Sequence, residues 1–429
     1  MNGGLSMVEM KSGYKMTEVG VIPEDWEVKE FNETFSVIPN NSLSRDYLNT
    51  HAGEYHDIHY GDVLIRYGAL LDAGNTEIPF INKAITDKWV NRRIVTEGDI
   101  IMADTAEDNT VGKCSEVINV NHKKIVSGLH TFWLHPNEGL FEKGFLGYFM
   151  NHSLYHNQLL PLIHGTKVSS VSKNEILGTR VLVPLKNEQT AIATALSDVD
   201  SLISALTKKI EKKKAIKQGL MQQLLTGKKR LPGFGDVWDV VQLKGIISEF
   251  IVPMRDKPTA LTGPIPWCRI EDFDGKYLKK SLSNQGVDLN TVSKMNLKIF
   301  PVNTLLVSCS ANLGRCAIVK QKLVTNQTFI GLVPSDRIDV EFLYYKMSRE
   351  DKNLNNMATG TTISYLSREQ FENYEILIPS SKAEQTAIAN ILSDCDSEIA
   401  ALEEKRDKYK EIKQGMMQQL LTGKIRLIK

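Results

Sequence analysis

Apolar residues recur at Ile192, Leu196, Val199, Ile203, Leu206 and Ile210, at spacings that alternate between four and three. This is a heptad seam, and it predicts an amphipathic helix whose stripe must be covered by something else. Lys213 and Lys217 interrupt the seam before Leu220 and Leu224 continue it. The same pattern returns at Ile388, Leu392, Cys395, Ile399 and Leu402, followed by Arg406, Tyr409, Lys413, Met416 and Leu420. Gly227 and Gly423 stand where a C-terminal cap belongs, each followed by Lys and Arg that suit the carboxyl end of a helix dipole. Each helix would run about 38 residues, about 57 Å at 1.5 Å per residue. Before each helix the pattern changes to short apolar runs punctuated by Gly and Asn. Asp62-Val63-Leu64-Ile65 and Asp99-Ile100-Ile101-Met102 in the first segment, and Thr304-Leu305-Leu306-Val307 and Cys316-Ala317-Ile318-Val319 in the second, read as strands.

The two helical stretches are copies. Residues 188–231 and 384–427 align without a gap at an offset of 196 (384 − 188), with 31 of 44 positions identical. The segments ahead of them share only their ends. Each opens on a Pro, an acidic residue, Trp26 or Trp238, a second acidic residue and Val28 or Val240. Each closes on a Gly-Thr run, Gly165-Thr166-Lys167 or Gly360-Thr361-Thr362, and on Val181-Leu182-Val183-Pro184 or Ile376-Leu377-Ile378-Pro379. The expected fold class is α+β: two mixed α/β domains, each with a small curved sheet, separated by two long antiparallel helices that form a coiled coil with pseudo-two-fold symmetry. Its expected parts are a partly disordered leader (1–18), a first domain (19–187), a central helix (188–228), a second domain (229–383) and a C-terminal helix (384–429). Polar seam positions at Lys213, Lys217, Arg406 and Lys413 would weaken the coil and fix its register.

The tail IKQGxMQQLLTGKxRL is nearly invariant between the copies although a helix surface should be free to drift. A repeated surface suggests that one kind of partner docks twice. Gly219 and Gly415 each cost about 1 kcal/mol relative to alanine inside a helix, and close approach of another backbone is the expected compensation, a bend in the helix being the alternative. The partner-facing candidates are Gly219, Met221, Gln222 and Gln223 in the first copy, with Gly415, Met417, Gln418 and Gln419 in the second.

At 429 residues the chain is long enough for two or three domains, each with its own core. Five cysteines without a CxxC pair argue against a disulfide framework or a zinc site and fit a reducing cytosol. His51, His56 and His59 lack a partner at metal-ligand spacing and read as surface or hydrogen-bonded histidines. No apolar run is long enough to span a membrane. The net charge of +1 supplies no overall positive field, so phosphate contacts would need basic residues gathered on one face or a partner's help. The DNA-contact candidates are Arg66, Arg92, Arg93, Lys113, Lys123, Lys124, Thr166 and Lys167 in the first domain. In the second they are Arg269, Lys279, Lys280, Arg315, Thr361 and Thr362. No phosphate-binding GxxxxGK[ST] loop, no Asn/Asp-Pro-Pro-Tyr/Phe run, no glycine-rich strand-to-helix turn and no nuclease constellation appears. The chain reads as catalytically empty.

Taken together, the duplicated opening signature, the Gly-Thr run, the Pro-Glu-Gln helix start and the KQGxMQQLLTGK tail resemble the specificity subunits of Type I restriction-modification systems, from about Tyr14 to Leu427. The resemblance implies a non-catalytic, cytoplasmic subunit with two target recognition domains. Each would read half of a split, asymmetric DNA site, with the helices as ruler and as docking rods for two methyltransferase (M) subunits. It implies S-adenosylmethionine in those M subunits, ATP and magnesium in two motor-nuclease (R) subunits, and no cofactor here. The competing class is a coiled-coil scaffold whose end domains bind proteins. The DNA motif, its spacer, and whether the system restricts or only methylates are not legible in the residues.

Overall fold

The structure, a computed structural model, describes residues 12–86, 93–165, 167–253, 257–310, 312–358 and 365–427. It divides into a first unit, 1–206 with 405–429, and a second, 207–404. The two long helices, Lys186–Leu224 and Lys382–Leu420, contribute a part to each unit. Within the expected leader, Tyr14–Thr17 is a strand that pairs with Gly20–Pro23.

In the first unit a five-stranded sheet runs in the order Phe35–Ile38, Thr131–Pro136, Ile100–Ala103, Cys114–Ile118, Leu70–Asp72. All neighbours are antiparallel except the last pair, which is parallel. A second sheet pairs Tyr55–Ile58 in parallel with Lys124–Ser127 and antiparallel with Phe80–Ile81. The second unit has the same wiring. Its five strands run Ile247–Ile251, Phe329–Pro334, Leu305–Ser308, Cys316–Val319, Tyr277–Leu278, again with only the last pair parallel. Its second sheet pairs Ile265–Cys268 in parallel with Val324–Thr325 and antiparallel with Gly286–Val287. Each domain therefore holds two sheets where the sequence suggested one. Two sequences with little in common beyond their ends build one topology.

A ribbon ties off each domain by pairing its first strand with its last: Glu27–Glu30 with Arg180–Val183, and Trp238–Gln242 with Glu375–Pro379. The opening and closing signatures are thus one structural feature. The run Asp62–Ile65 is not a strand but part of the helix Tyr60–Ile65. A four-residue apolar run carries no period of its own. Here Arg45 grips the buried Asp62 through both carboxylate oxygens, at 2.6 and 3.0 Å, in the first turn, and Val63 turns inward.

The heptad seam is only partly a helix-helix seam. In the first unit Ile192, Ala193 and Leu196 enter the domain core beside Trp26, Phe145 and Phe149. Met416, Met417, Leu420 and Leu421 from the end of the other long helix join them there. In the second unit Ile388, Ala389 and Leu392 meet Leu220, Met221, Leu224 and Leu225 in the same way. Burying each such side chain contributes about 2 kcal/mol, so the start of one helix and the end of the other are fastened to each domain. Within each unit the two segments run antiparallel, because rising numbers on one meet falling numbers on the other. Glu188 faces Arg426 and Asp200 faces Lys413 in the first unit; Glu384 faces Arg230 and Asp396 faces Lys217 in the second.

Candidate nucleic-acid interface

Three polar devices attach each domain to the helices, and each occurs twice. The first is a clasp. In the first unit the buried Glu188 carboxylate accepts from Arg426 Nε at 2.5 Å and Nη2 at 2.7 Å, and from Trp26 Nε1 at 2.8 Å. Arg426 also reaches Asp25 at 2.8 Å, and these carboxylates hold its guanidinium well above its ordinary pKa. In the second unit the buried Glu384 accepts from Arg230 Nε at 2.7 Å and Nη2 at 2.8 Å. Each guanidinium lies 5.9 Å from the ring centroid of Trp26 or Trp238. The tail glycines are seated beneath those rings: Gly227 and Gly423 have φ of 69° and 66°, and a Cβ on Gly423 would stand 2.4 Å from Pro23 Cγ. The copies differ in two bonds: Val237 stands where Asp25 does, so Arg230 lacks that second carboxylate, and the indole bond is not repeated. Trp238 Nε1 is buried with no hydrogen-bond partner among the described residues.

The second device is a glutamine at the helix start. Gln189 Nε2 donates to the carbonyls of Leu140 and Pro184 at 3.1 and 2.8 Å, and its Oε1 accepts from Glu142 N at 2.8 Å. Gln385 repeats all three bonds with Arg337, Pro379 and Asp339 at 3.1, 2.9 and 2.8 Å. The third is a tyrosine-carboxylate-lysine stack. Tyr148 donates to Asp200 at 2.8 Å and Lys413 bridges the same carboxylate at 2.7 Å. Tyr345, Asp396 and Lys217 do likewise at 2.6 and 2.5 Å. Burial and the adjacent carboxylate push both phenols up. Lys213 pairs with Glu398 at 2.7 Å, so Lys213, Lys217 and Lys413 each pair with a carboxylate of the other long helix, and Arg406 bonds Asp407 at 2.9 Å.

These residues account for much of the tail's invariance, and the reading that one docking partner explains the whole tail is too broad. Met221 and Met417 are half-buried against the cores, so their side chains are not free surface. Gly219, Gln222, Gln223, Gly415, Gln418 and Gln419 are exposed. A Cβ at Gly219 or Gly415 would meet nothing within 4 Å. The expected close backbone approach is therefore not made by this chain, because both glycines face away from the packed side of their helices.

The basic candidates are scattered, and several are occupied. In the first domain Arg66 caps a short helix, bonding Asp62 at 3.1 Å and the Glu77 carbonyl at 3.2 Å. Lys113 donates to the Leu64 carbonyl at 2.6 Å, Lys123 to that of Ala73 at 2.5 Å, and Lys124 to Glu54 at 2.5 Å. Arg66 and Lys123 come together on the rim of a cavity of about 380 Å³ that also takes in His56 and Phe80. His56 Nδ1 lies 2.8 Å from the Ile78 carbonyl and burial holds its pKa down. Arg93 and Lys167 are exposed. In the second domain Lys279 and Lys280 are exposed, Arg269 lies near Glu271 at 3.8 Å, and Arg315 reaches the Phe273 carbonyl at 3.4 Å. Arg92, Thr166, Thr361 and Thr362 lie outside the described residues. No three His, Cys, Asp or Glu side chains among the described residues are grouped to hold a metal ion.

The model of the Type I restriction modification DNA specificity domain matches residues 23–218 and, a second time, 236–414. The chain belongs to this family. It is similar over its length to a putative type I restriction enzyme MjaX specificity subunit of Methanocaldococcus jannaschii, at 24% identity over 97% of each chain. The MjaIX specificity subunit of the same organism is 32% identical over 41% of this chain and 40% of its own. Among solved structures, the S subunit from M. genitalium matches with a TM-score of 0.58 at 15% identity, covering 92% of this chain and 96% of that one. A chain from a structure on complex assembly and conformational transition of the type I R-M system gives 0.55 at 16%, covering 94% and 99%. This specificity subunit thus carries the family domain twice, and the boundaries of each match reach into the long helices. No helix among its described residues is long and apolar enough to cross a membrane.

The residues missed in the sequence are the fasteners: Glu188, Gln189, Asp200, Arg230 and their equivalents 196 positions on. Their signal was present, since all four are identical in both copies. What the repeat did not reveal is that each copy's tail fastens the other copy's head.

Proposed function

We propose that each domain reads one half of a bipartite, asymmetric DNA site, that the long helices set the gap between halves, and that they dock two M subunits. In this reading 19–187 and 229–383 are the target recognition domains, and 188–228 and 384–429 are the spacers. The observation that carries it is the matched set of fasteners: two domains with different sequences are mounted by the same clasp, the same glutamine and the same stack. A mount so repeated serves two parts with one geometric task and different content. The major groove offers a full donor and acceptor code, so two different domains can specify two different half-sites. A homodimer is restricted to a palindrome.

The exposed Gly219, Gln222 and Gln223, and likewise Gly415, Gln418 and Gln419, offer one face twice, which suits two copies of one M subunit. The chain itself supplies recognition and no chemistry. Methyl transfer to adenine N6 from S-adenosylmethionine is assigned to the M subunits, and ATP- and magnesium-dependent work to two R subunits. The site of action is cytoplasmic DNA. With a net charge of +1, the subunit alone should bind DNA weakly and with strong salt dependence, and much more tightly with M.

The test is base-modification sequencing of the host genome with and without this gene. A split motif carrying N6-methyladenine on both strands, lost on deletion, is the expected result. A genome whose methylation pattern is unchanged in an expressing host would refute the reading.

A further inference from the structure

The two domains share a second frame away from the helices. In the first unit the turn after Ile100–Ala103 is closed by Ala103 N to Lys113 O at 2.9 Å and Gly112 N to Ala103 O at 2.9 Å. Asp104 N reaches His130 O at 3.1 Å, and Val171 N reaches Asp104 O at 3.0 Å. In the second unit the turn after Leu305–Ser308 is closed by Ser308 N to Arg315 O at 2.8 Å and Gly314 N to Ser308 O at 3.1 Å. Cys309 N reaches Thr328 O at 2.8 Å, and Leu366 N reaches Cys309 O at 2.8 Å. The four bonds correspond one to one. Gly112 and Gly314 are both left-handed, at φ 86° and 83°, and each is followed by a cation, Lys113 or Arg315. Thr105 pairs with Ser170 and Ser310 with Tyr365, which sets each turn against the segment that follows its Gly-Thr run.

Inside this constant frame the content differs. The first turn holds seven residues (105–111) and the second four (310–313). Closing two antiparallel strands takes about two to five, so the longer turn exceeds what closure needs. Its tip is held still: Asp108 accepts from Thr110 N at 2.9 Å and Oγ1 at 2.5 Å, and His156 Nε2 lies 3.0 Å from the Asn109 carbonyl. Glu107 and Asn109 nevertheless point outward, and neither side chain has a hydrogen bond or ion pair among the described residues. Asn312 is likewise exposed, at φ 29°, with only its carbonyl engaged, by Ser308. In the first turn, a backbone held at its tip and presenting uncommitted carboxylate and amide groups loses little entropy on binding. Those groups also match base edges: a carboxylate accepts from the cytosine amino group, and an asparagine pairs in bidentate fashion with adenine. The exposed Lys167 and Val168 lie on the segment that pairs with the first turn, and a lysine there suits a phosphate.

We propose that these two turns are the specificity determinants of the two domains, Glu107 and Asn109 reading bases of one half-site and Asn312 a base of the other. The inference rests on the DNA-reading function proposed above and assigns it to particular side chains. The test uses the full-length chain assembled with its M subunits, selecting from a random duplex DNA library at one fixed salt concentration. The variants are Glu107→Ala with Asn109→Ala, and Asn312→Gly, which keeps the positive φ. Wild type should enrich a split motif. The first variant should relax one or two base pairs of one half-site by roughly tenfold or more and leave the other half intact. Asn312→Gly should relax the opposite half. Should one variant fail to assemble, the other carries the test. Wild-type motifs from every assembled variant, or a uniform loss of affinity on all sequences, would overturn the assignment while leaving the proposed function standing. A wild-type assembly that enriches no motif would overturn the function and the assignment with it.

Discussion

Trp26 and Trp238 occupy equivalent places, yet only one of their indole N–H groups has an acceptor. Trp26 Nε1 donates to the buried Glu188 carboxylate at 2.8 Å, whereas Trp238 Nε1 is buried with no partner among the described residues. Trp→Phe at each site removes the same atoms with opposite polar consequences. At Trp26 it deletes a hydrogen bond to a charged group, worth about 1.5–3 kcal/mol. At Trp238 it removes an unsatisfied donor whose burial already costs about 1–3 kcal/mol. Trp26 is fully buried and Trp238 only half-buried, so lost apolar contact adds in the same direction, and Trp26→Phe should destabilise its unit by at least about 2 kcal/mol more than Trp238→Phe destabilises the other. A single melting temperature averages over both units and would blur the comparison. Hydrogen exchange with mass spectrometry reads each one locally. Amides of 27–30 and 180–194 should lose roughly thirtyfold more protection in Trp26→Phe than those of 239–242 and 375–390 lose in Trp238→Phe. Equal losses would show that the indole bond does not help hold Glu188, and the clasps would have to be treated as energetically identical.

The remaining predictions address the clasp, a buried acid and the exposed glycines. Arg426→Glu should reduce hydrogen-exchange protection in the first unit and leave the second unchanged, and Arg230→Glu should do the reverse; loss in both units from either change would contradict the separate clasps. Burial pushes Asp57 up from its ordinary 3.8 to about 7, with Asn41 pulling the other way and Asp62 adding to the rise. The folded chain therefore binds a proton that the unfolded chain releases, and stability falls as pH rises from about 4 to about 7. Asp57→Asn should reduce that slope, the buried Glu116, likewise pushed up to about 7, supplying the rest, and should exceed the parent in stability at pH 8, by at most about 4 kcal/mol, in urea titrations at pH 5 and 8. Gly219→Ala and Gly415→Ala should each stabilise the isolated subunit by about 1 kcal/mol in thermal melts, since both sites are open. Bulky replacements there should leave the subunit folded but impair assembly with M in light scattering.

The long helices were legible because a sustained heptad is a long-range signal: the expected span of about 38 residues compares with 39 in each helix. The ends of each domain were legible as signatures but not as a paired ribbon, because pairing between residues some 150 positions apart leaves no local trace. The strand assignment at Asp62–Ile65 failed for the opposite reason. Its four residues were too few to show a period, and a tertiary ion pair from Arg45 decided the matter. Among the site candidates, charge alone was a poor guide. Lys113 and Lys123 are spent on backbone carbonyls, and a lysine so engaged is less available to a phosphate. Glu107 and Asn109 went unnoticed because their distinction is geometric: the frame that fixes them is made of backbone hydrogen bonds, which any sequence can supply.

That the tail of each copy is held by the head of the other bears on why the repeat has stayed so alike. Were each helix fastened only to its own domain, a change at Arg230 could be matched within its own copy. Instead Arg230 must satisfy Glu384, and Arg426 must satisfy Glu188, so each copy is templated by its counterpart. The same holds for Lys217 with Asp396 and Lys413 with Asp200. Reciprocity of this kind ties the fasteners to one solution while leaving the interiors of the domains unconstrained. This is the division that a two-part reader needs. On the function proposed above, the mount stays constant because it answers to itself, while the turns at 105–111 and 310–313 are left free to differ. The residual identity at Gln218, Gly219, Gln222 and Gln223, exposed and without a side-chain bond among the described residues, is what the proposed docking of M subunits would account for.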